Sequence, residues 1–294
     1  MISTIITAYK EEKTVGKAIE SALSESIKDH EIIVSCPDKP TADVVKTYQK
    51  KHKNIKLIKD PGQGKPVALN IIFKKAKGDI LVLTDGDVYS GKNAIKNLIT
   101  PFKNKNVGAV TGRPISVNSR NTILGYWSHL LTDVGAHQTR EKLATQNKFL
   151  VCSGYLYAIR KGLVDSIPED TLSDDAVISS LIAEKGYKIT YSPKSEVYVK
   201  YPTTFKDWMI QKKRSTGGYL QLEEFAKSKI TMRSFSKEVA GIFKVFTYPK
   251  NIKEFSWTLL LILARIYLWF KIFTDLKLKK ESFKKTWTRV ETTK

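Results

Sequence analysis

Ile80-Leu81-Val82-Leu83-Thr84-Asp85-Gly86-Asp87 is the stretch on which the fold turns. Its four leading residues are apolar without alternation, as in a strand covered on both faces within a parallel sheet. Asp85 and Asp87 then leave the carboxyl end of that strand, the edge at which open α/β sheets bind ligands. Alternate residues of an extended segment point the same way, so the two carboxylates can converge on one point. Like charges held that close require a cation or a proton. A hard divalent ion with oxygen ligands, a diphosphate among them, meets that requirement. Taken alone, the motif also fits an acidic turn with glycine at a tight bend.

On either side of this stretch, short apolar runs alternate with helical ones. Strands are predicted at Ile2–Thr7, Glu31–Ser35, Ile55–Lys59, Asp79–Thr84 and Ala109–Thr111. Helices are predicted at Thr14–Ser24, Thr41–Lys51, Lys65–Lys77 and Ala94–Phe102; Ala18, Ile19, Ala22 and Leu23 share one face of the first. The alternation predicts βαβ units and an α/β fold, a mainly parallel, Rossmann-like sheet flanked by helices. Further on, Asn121–Thr145 reads as a longer helical stretch. Leu150–Arg160 and Tyr187–Ser192 read as strands around a helix at Asp175–Glu184. Beyond residue 200 the pattern is helical, with lysines and aromatics throughout.

The 294 residues allow one large domain, or one domain with a helical extension. Lys and Arg number 50 against 29 Asp and Glu, a net charge of +21, which points to an anionic partner. That partner is a nucleic acid or an acidic membrane surface; no nucleic-acid module is visible, which favours the membrane. Cys36 and Cys152 are too few for a disulfide framework and suit a reducing compartment. Both read as small buried residues rather than nucleophiles. Met1-Ile2-Ser3-Thr4-Ile5-Ile6 reads as a first strand and not as a secretory signal.

Phe255–Phe273 raises the membrane question directly. The run nearly reaches the ~20 residues that a span needs. Arg265 in its middle would cost roughly 2.5–3.5 kcal/mol on insertion scales. Glu254, Thr258 and Arg265 form one polar stripe. Lys250 and Lys253 precede the run, and Lys277, Lys279, Lys280, Lys284 and Lys285 follow it. These features predict an amphipathic helix lying in the membrane plane, with Trp257, Tyr267 and Trp269 near the headgroups. Ile242–Tyr248 is a second such element. A single span and a buried soluble helix are the other readings.

Five segments carry chemistry: Thr7-Ala8-Tyr9-Lys10-Glu11-Glu12, Ser35-Cys36-Pro37-Asp38, Gly62-Gln63-Gly64-Lys65-Pro66-Val67-Ala68-Leu69-Asn70, Thr84-Asp85-Gly86-Asp87 and Leu172-Ser173-Asp174-Asp175. The first, second and fourth follow predicted strands at one sheet edge. Simpler roles also fit single residues. Asp38 before Lys39-Pro40 can shape a turn, Lys65 can be a solvated lysine, and Asp174-Asp175 can cap a helix. His129 and His137, eight residues apart, do not have a metal-binding spacing.

As an ordered set, from about residue 2 to about residue 215, the segments resemble the family 2 inverting glycosyltransferases of GT-A fold. The resemblance implies that Thr7, Ala8, Tyr9, Glu11 and Asp38 hold the nucleobase. Lys65, with Asn70, lies near the base and diphosphate. Asp85 and Asp87 bind Mn²⁺ or Mg²⁺ with the sugar diphosphate. Asp175, the second acid of its pair, is the general base, with Asp174 beside it. Cys152-Ser153-Gly154-Tyr155 is similar to the acceptor-side segment, where Gly154 lets the backbone approach the sugar. Gln211-Lys212-Lys213-Arg214-Ser215 resembles the Gln-x-x-Arg-Trp motif of the cellulose- and hyaluronan-synthase branch, placing Gln211 and Arg214 by acceptor and diphosphate. Ser215 stands where processive members have Trp, which tells against processivity, and the chain lacks the several spans from which those synthases build an export channel, so a non-channel-forming enzyme is expected.

The reading is therefore a catalytic domain over 1–215 and a basic, aromatic, membrane-associating helical region over 216–294. The expected activity is transfer from a nucleotide-sugar donor, UDP-linked by resemblance, to a lipid-linked or surface glycan. The expected location is the cytoplasmic face of the membrane. Within the class, a polyprenyl phosphate acceptor is the alternative. From other classes, a nucleotidyltransferase-like enzyme and an inactive module binding anionic surfaces remain.

Overall fold

The computed structural model describes residues 1–225, 245–278, 290, 292 and 293. Its frame is one eight-stranded sheet. The first strands are β1 (Ile2–Thr7), β2 (His30–Ser35), β3 (Ile55–Ile58) and β4 (Ile80–Asp85). β1 lies between β2 and β4, parallel to both, and β3 extends the sheet beyond β2. The chain thus leaves β1 in one direction and returns on its other side, which makes the β1/β4 crevice a topological switch point. Thr7 pairs with Ser35 on one side and with Asp85 on the other, so the carboxyl ends lie flush.

Both faces of the sheet are covered, as the unbroken apolar runs require. Ile6, Val34 and Val82 point to one face, under α1 (Val15–Leu23), α2 (Lys39–Lys51) and α4 (Ala94–Ile99). Ile5, Ile33, Leu81 and Leu83 point to the other, under α3 (Lys65–Lys75) and α7 (Asp174–Glu184). The remaining strands are β5 (Tyr89–Ser90), β6 (Val107–Ser116), β7 (Leu156–Arg160) and β8 (Lys188–Val199), in the overall order β3-β2-β1-β4-β7-β6-β8-β5.

Several boundaries differ from the sequence reading. The sheet is mixed: β7 runs antiparallel to both β4 and β6, and β5 antiparallel to β8. The strand expected at Leu150–Arg160 begins only at Leu156. Before it, the amides of Cys152, Ser153 and Gly154 donate to Ser179 Oγ, Thr111 Oγ1 and Asp175 Oδ2, so they are not available to a ladder. β6 and β8 run on past their expected ends because Gly112 lets the strands close up. A Cβ there would lie 2.6 Å from the Ser195 carbonyl oxygen. The helix expected to end at Phe102 becomes a 3-10 turn at Thr100–Lys103 around Pro101.

The long helical stretch consists of α5 (Ile123–Leu130), a wide-turned π segment (Leu131–Gln138) and α6 (Thr139–Thr145). α8 spans Phe205–Phe225, so the division expected after residue 215 falls inside a continuous helix. α9 spans Ile252–Ile272. Among the described residues, Ile252–Asp275 is a helix long and apolar enough to cross a membrane, with mean hydropathy 1.5.

The polar stripe of α9 faces the protein. Glu254, Thr258, Leu261, Ala264, Leu268 and Ile272 are buried, at helical spacing, and the helix packs on Tyr126, Trp127 and Leu130 of α5 and on Trp208 of α8. Arg120 donates to both Glu254 oxygens at 2.7 and 2.9 Å, Tyr126 and Thr258 share a 2.7 Å hydrogen bond, and Trp127 Nε1 donates to the Trp257 carbonyl. The sequence marks Glu254 and Thr258 as part of one polar stripe; partners on α5 and before it turn these two residues inward. Phe255, Leu259, Leu263, Ile266 and Phe270 are left exposed on the other side. Of the expected element at Ile242–Tyr248, residues 242–244 lie outside the described residues, as do Lys279, Lys280, Lys284 and Lys285.

Candidate active site

The carboxyl ends of β1 and β4 bring Thr7 and Asp85 together, and Thr7 Oγ1 donates to Asp85 Oδ1 at 3.2 Å. Lys65, at the start of α3, reaches the same oxygen with Nζ at 2.7 Å and sits 3.3 Å from Asp174 Oδ2. Gly62 and Gly64, at φ +70° and +111°, form the turn that aims it there. Gly86 is required between the two acids because a Cβ there would collide with the Glu11 carboxylate and lie 2.7 Å from Ala8 Cβ. The β1 loop and the acidic turn therefore touch at a point where a side chain would not fit.

Asp174 and Asp175 open α7. Asp175 Oδ2 accepts from the Gly154 amide at 2.8 Å, and its Oδ1 accepts from Ser173 Oγ and the Ala176 amide. Asp174 Oδ2 accepts from Tyr157 at 3.3 Å in addition to facing Lys65. Burial raises the Asp174 carboxyl above its ordinary range, Asp175 and Asp85 add to the rise, and Lys65 opposes it. Burial alone would lower the Lys65 ammonium, but the charges of Asp174 and Asp85 outweigh that and keep it protonated. The Cys36 and Cys152 thiols are pushed up to about 12, burial being the largest cause, which keeps them from acting as thiolates.

A cavity of 1290 Å³ runs along this edge. At one end it is lined by Thr7, Ala8, Tyr9, Glu11 and Lys65, with Asp85 and Asp87; Gly154, Asp174 and Asp175 follow, then Gln211 and Arg214 from α8. Gln211 Nε2 donates to the Tyr155 hydroxyl at 3.3 Å, and its Oε1 is buried without a hydrogen-bond partner. Asp38 is placed differently. It caps α2, accepting from the Lys10 amide at 2.8 Å and from the amide and hydroxyl of Thr41, and it is not on the cavity wall. Burial works to raise its carboxyl, and these hydrogen bonds together overcome that and hold it below the ordinary range. Thr41 Oγ1 in turn accepts from the Glu11 amide, so Asp38 fixes the loop that lines the cavity.

Asp60 was not foreseen. It follows β3, lines the cavity, and is held by Ser35 Oγ and the Gly62 amide at 2.8 and 2.9 Å. The strand-end rule that picked out the other loops, applied to the third strand, would have found it. His129 and His137 hydrogen-bond to the Asn118 carbonyl and the Tyr191 hydroxyl. Among the described residues no three His, Cys, Asp or Glu side chains form a metal cage. Asp85 and Asp87 still suit Mn²⁺ or Mg²⁺, since such ions are commonly held by one or two carboxylates and complete their shell with substrate phosphates and water.

Known proteins share this frame. The mannosyltransferase PcManGT of Pyrobaculum calidifontis, solved with GDP-Man and Mn²⁺, superposes with a TM-score of 0.61 at 18% identity, covering 98% of this chain and 82% of that one. A fragment of S. aureus TarS in complex with UDP-GlcNAc superposes with a TM-score of 0.53 at 14% identity, covering 90% and 87%. The fold is thus GT-A-like. In sequence, the chain is 25% identical over 229 residues to the probable glycosyltransferase YdaM of Bacillus subtilis. It is 24% identical over 242 residues to the poly-beta-1,6-N-acetyl-D-glucosamine synthase of Staphylococcus aureus. These alignments cover 74% and 79% of this chain but only 54% and 58% of the relatives, so it spans little more than half their length. The model of the glycosyltransferase like family 2 matches residues 2–218, which include all of the acidic motifs and the Gln211–Arg214 segment. The chain is a member of the glycosyltransferase like family 2.

Proposed function

We propose that this glycosyltransferase is membrane-associated, metal-dependent and inverting, and moves a sugar from a nucleotide-sugar to a hydroxyl of a lipid-linked or surface glycan. The observation that carries this reading is the division of labour in one cavity: Lys65 joins Asp85 to Asp174, and beside them Asp175 is held by the Gly154 amide. The nucleoside lies against Thr7, Ala8, Tyr9, Glu11 and Asp60, with UDP the favoured nucleotide. The diphosphate lies toward Lys65, Asp85 and Arg214. A Mn²⁺ or Mg²⁺ ion held by Asp85 and Asp87 would neutralise charge on the departing diphosphate.

The acceptor oxygen forms its bond to the anomeric carbon as the carbon–diphosphate bond breaks on the opposite face. Asp175 takes the hydroxyl proton, and the nucleoside diphosphate leaves with the bonding electrons. Gln211 Oε1, buried and without a partner, accepts a hydrogen bond from an acceptor hydroxyl. An α-linked donor then gives a β-glycoside in a single displacement.

Membrane association is supported by the exposed apolar side of α9 and the net charge of +21. Glu254 and Thr258 are satisfied within the protein, so the outer side enters one leaflet without carrying those polar groups. Two free buried thiols fit the cytoplasmic face. The test of inversion needs no acceptor. With water in place of the acceptor, proton NMR follows slow turnover of a UDP-α-sugar. The β-anomer of the free sugar is expected first, equilibrating later; the α-anomer first would rule out single displacement.

A further inference from the structure

Asp60 is 8% exposed, lines the cavity and has no cationic partner among the described residues. Its Oδ2 accepts from Ser35 Oγ at 2.8 Å and its Oδ1 from the Gly62 amide at 2.9 Å. An ionised carboxylate offers about four lone-pair positions and no donor. The two protein hydrogen bonds therefore leave acceptor capacity on a side chain already withdrawn from water. Buried acceptors are completed by hydrogen-bond donors, here one brought by whatever fills the cavity. The turn alone does not call for the charge, because an Asn oxygen would serve the Gly62 amide equally well. Glu11, the other carboxylate at this end, has its Oε2 against Gly86, between Asp85 and Asp87.

The place of Asp60 on the sheet fixes what can reach it. Ser35 and Gly62 hold it, a Cβ on Gly62 would lie 3.2 Å from Pro37 Cβ, and the Ala8 amide donates to the Ser35 carbonyl. All four of these residues line the cavity, so the ends of β1, β2 and β3 form one continuous wall there. In the strand order β3-β2-β1-β4, the end of β3 is three strand spacings from Asp85, roughly 14 Å. A nucleoside diphosphate laid across the strand ends, its phosphates at Lys65 and Asp85, brings its base to Asp60. Like charge keeps a phosphate away from this carboxylate, whereas the pairing edge of a base can carry N–H donors.

We infer that Asp60 selects the donor's base by accepting from the ring N–H on its pairing edge, so that the donor carries uracil, thymine or guanine rather than cytosine or adenine. Uracil and thymine present N3–H on that edge, and guanine presents N1–H beside its amino group. Cytosine N3 and adenine N1 present lone pairs instead, which a carboxylate repels. A site built to hydrogen-bond a substrate N–H rejects an analogue without it far more strongly than a packed surface rejects a small change of shape. The inference rests on the donor reading above and narrows the nucleotide to one chemical class.

UDP, dTDP, GDP, CDP and ADP are titrated into the full chain by calorimetry with Mn²⁺, together with N3-methyl UDP, N3-methyl dTDP and N1-methyl GDP. The tightest binder is expected to be UDP, dTDP or GDP, ahead of CDP and ADP by about tenfold or more, and the one that leads tells a pyrimidine from a purine slot. Its methylated form is expected to bind about tenfold more weakly or worse. D60N keeps an oxygen for the Gly62 amide. It is expected to hold its Tm, weaken the leading nucleotide about tenfold and narrow the lead over CDP and ADP, because an amide also donates. CDP or ADP binding as tightly as the others to the unmodified chain would overturn the inference and leave the donor reading standing. So would a methylated form that binds unchanged, or a D60N chain in which all nucleotides weaken alike, as a purely structural role requires. Binding of none of them to the folded, unmodified chain would overturn the donor reading, and the inference with it.

Discussion

Asp174 and Asp175 are neighbours in the chain with different partners. Asp175 has both oxygens engaged by neutral donors, which fix its orientation. Asp174 faces Lys65 and completes the link to Asp85. A general base must be held in one orientation, and the Gly154, Ser173 and Ala176 donors hold Asp175 so. D175N is therefore expected to lower donor hydrolysis and transfer by about 10²–10⁴-fold, the usual contribution of general-base catalysis, with donor Kd by calorimetry nearly unchanged. A loss confined to donor affinity would move the base elsewhere. At this scale the site was legible because strand ends gather side chains by a local rule. Thr7 and Asp85 pair across strands as the alternation implied. Asp38 reads as a ligand or as a local turn residue, because capping and ligand contact leave the same signature, an acid before the Lys-Pro that starts a helix; the structure shows the cap. Asp60 was passed over because an acid before Pro61-Gly62 reads as a turn.

At the scale of elements, α9 shows what a single sequence conceals. Its spacing marked a polar stripe but not what the stripe faces, because Arg120 and Tyr126 come from a distant part of the chain. The direction of β7 was likewise hidden, since an apolar run carries no sense of parallel or antiparallel. The π segment at Leu131–Gln138 kept the length of the expected helix and changed its winding. The Arg120–Glu254 pair gives α9 a measurable signature. The Arg120 hydrogen bonds hold the Glu254 carboxyl down from 4.5 to about 2, against a smaller opposing effect of burial. An acid with a depressed pKa adds stability that is present above its unfolded value and lost as pH falls through the folded one. E254Q is expected to cost roughly 1.5–3 kcal/mol at neutral pH, the scale of hydrogen bonds to charged groups. The gap in Tm between E254Q and the unmodified chain should then narrow between pH 4.5 and 2. A gap that stays constant over that window would show that the pair does not hold the helix.

On the scale of the whole molecule, charge and apolar surface point the same way. The proposed membrane association rests on a net charge of +21 and on Phe255, Leu259, Leu263 and Phe270, which are exposed on the outer side of α9. The L263N/F270N double variant changes only exposed positions and leaves the net charge as it is, so its Tm should hold while its partition onto phosphatidylglycerol vesicles in flotation falls at least tenfold. Unchanged partition would leave charge as the sole attraction. The α/β class and the sheet edge that carries the site were readable from alternating apolar runs. The membership of α8 and α9 in one packed unit was not, because it depends on contacts among Tyr126, Trp127, Trp208 and Leu261 that no local pattern announces. The proposed activity requires a nucleotide-sugar bound with a metal at Asp85 and Asp87. Calorimetry with UDP-, GDP- and dTDP-sugars, in Mn²⁺, Mg²⁺ or EDTA and beside D87A, tests it most directly. Binding of one nucleotide class that requires the metal and disappears in D87A is the expected result; a folded chain that binds none of them, or binds one equally well in EDTA, would contradict it.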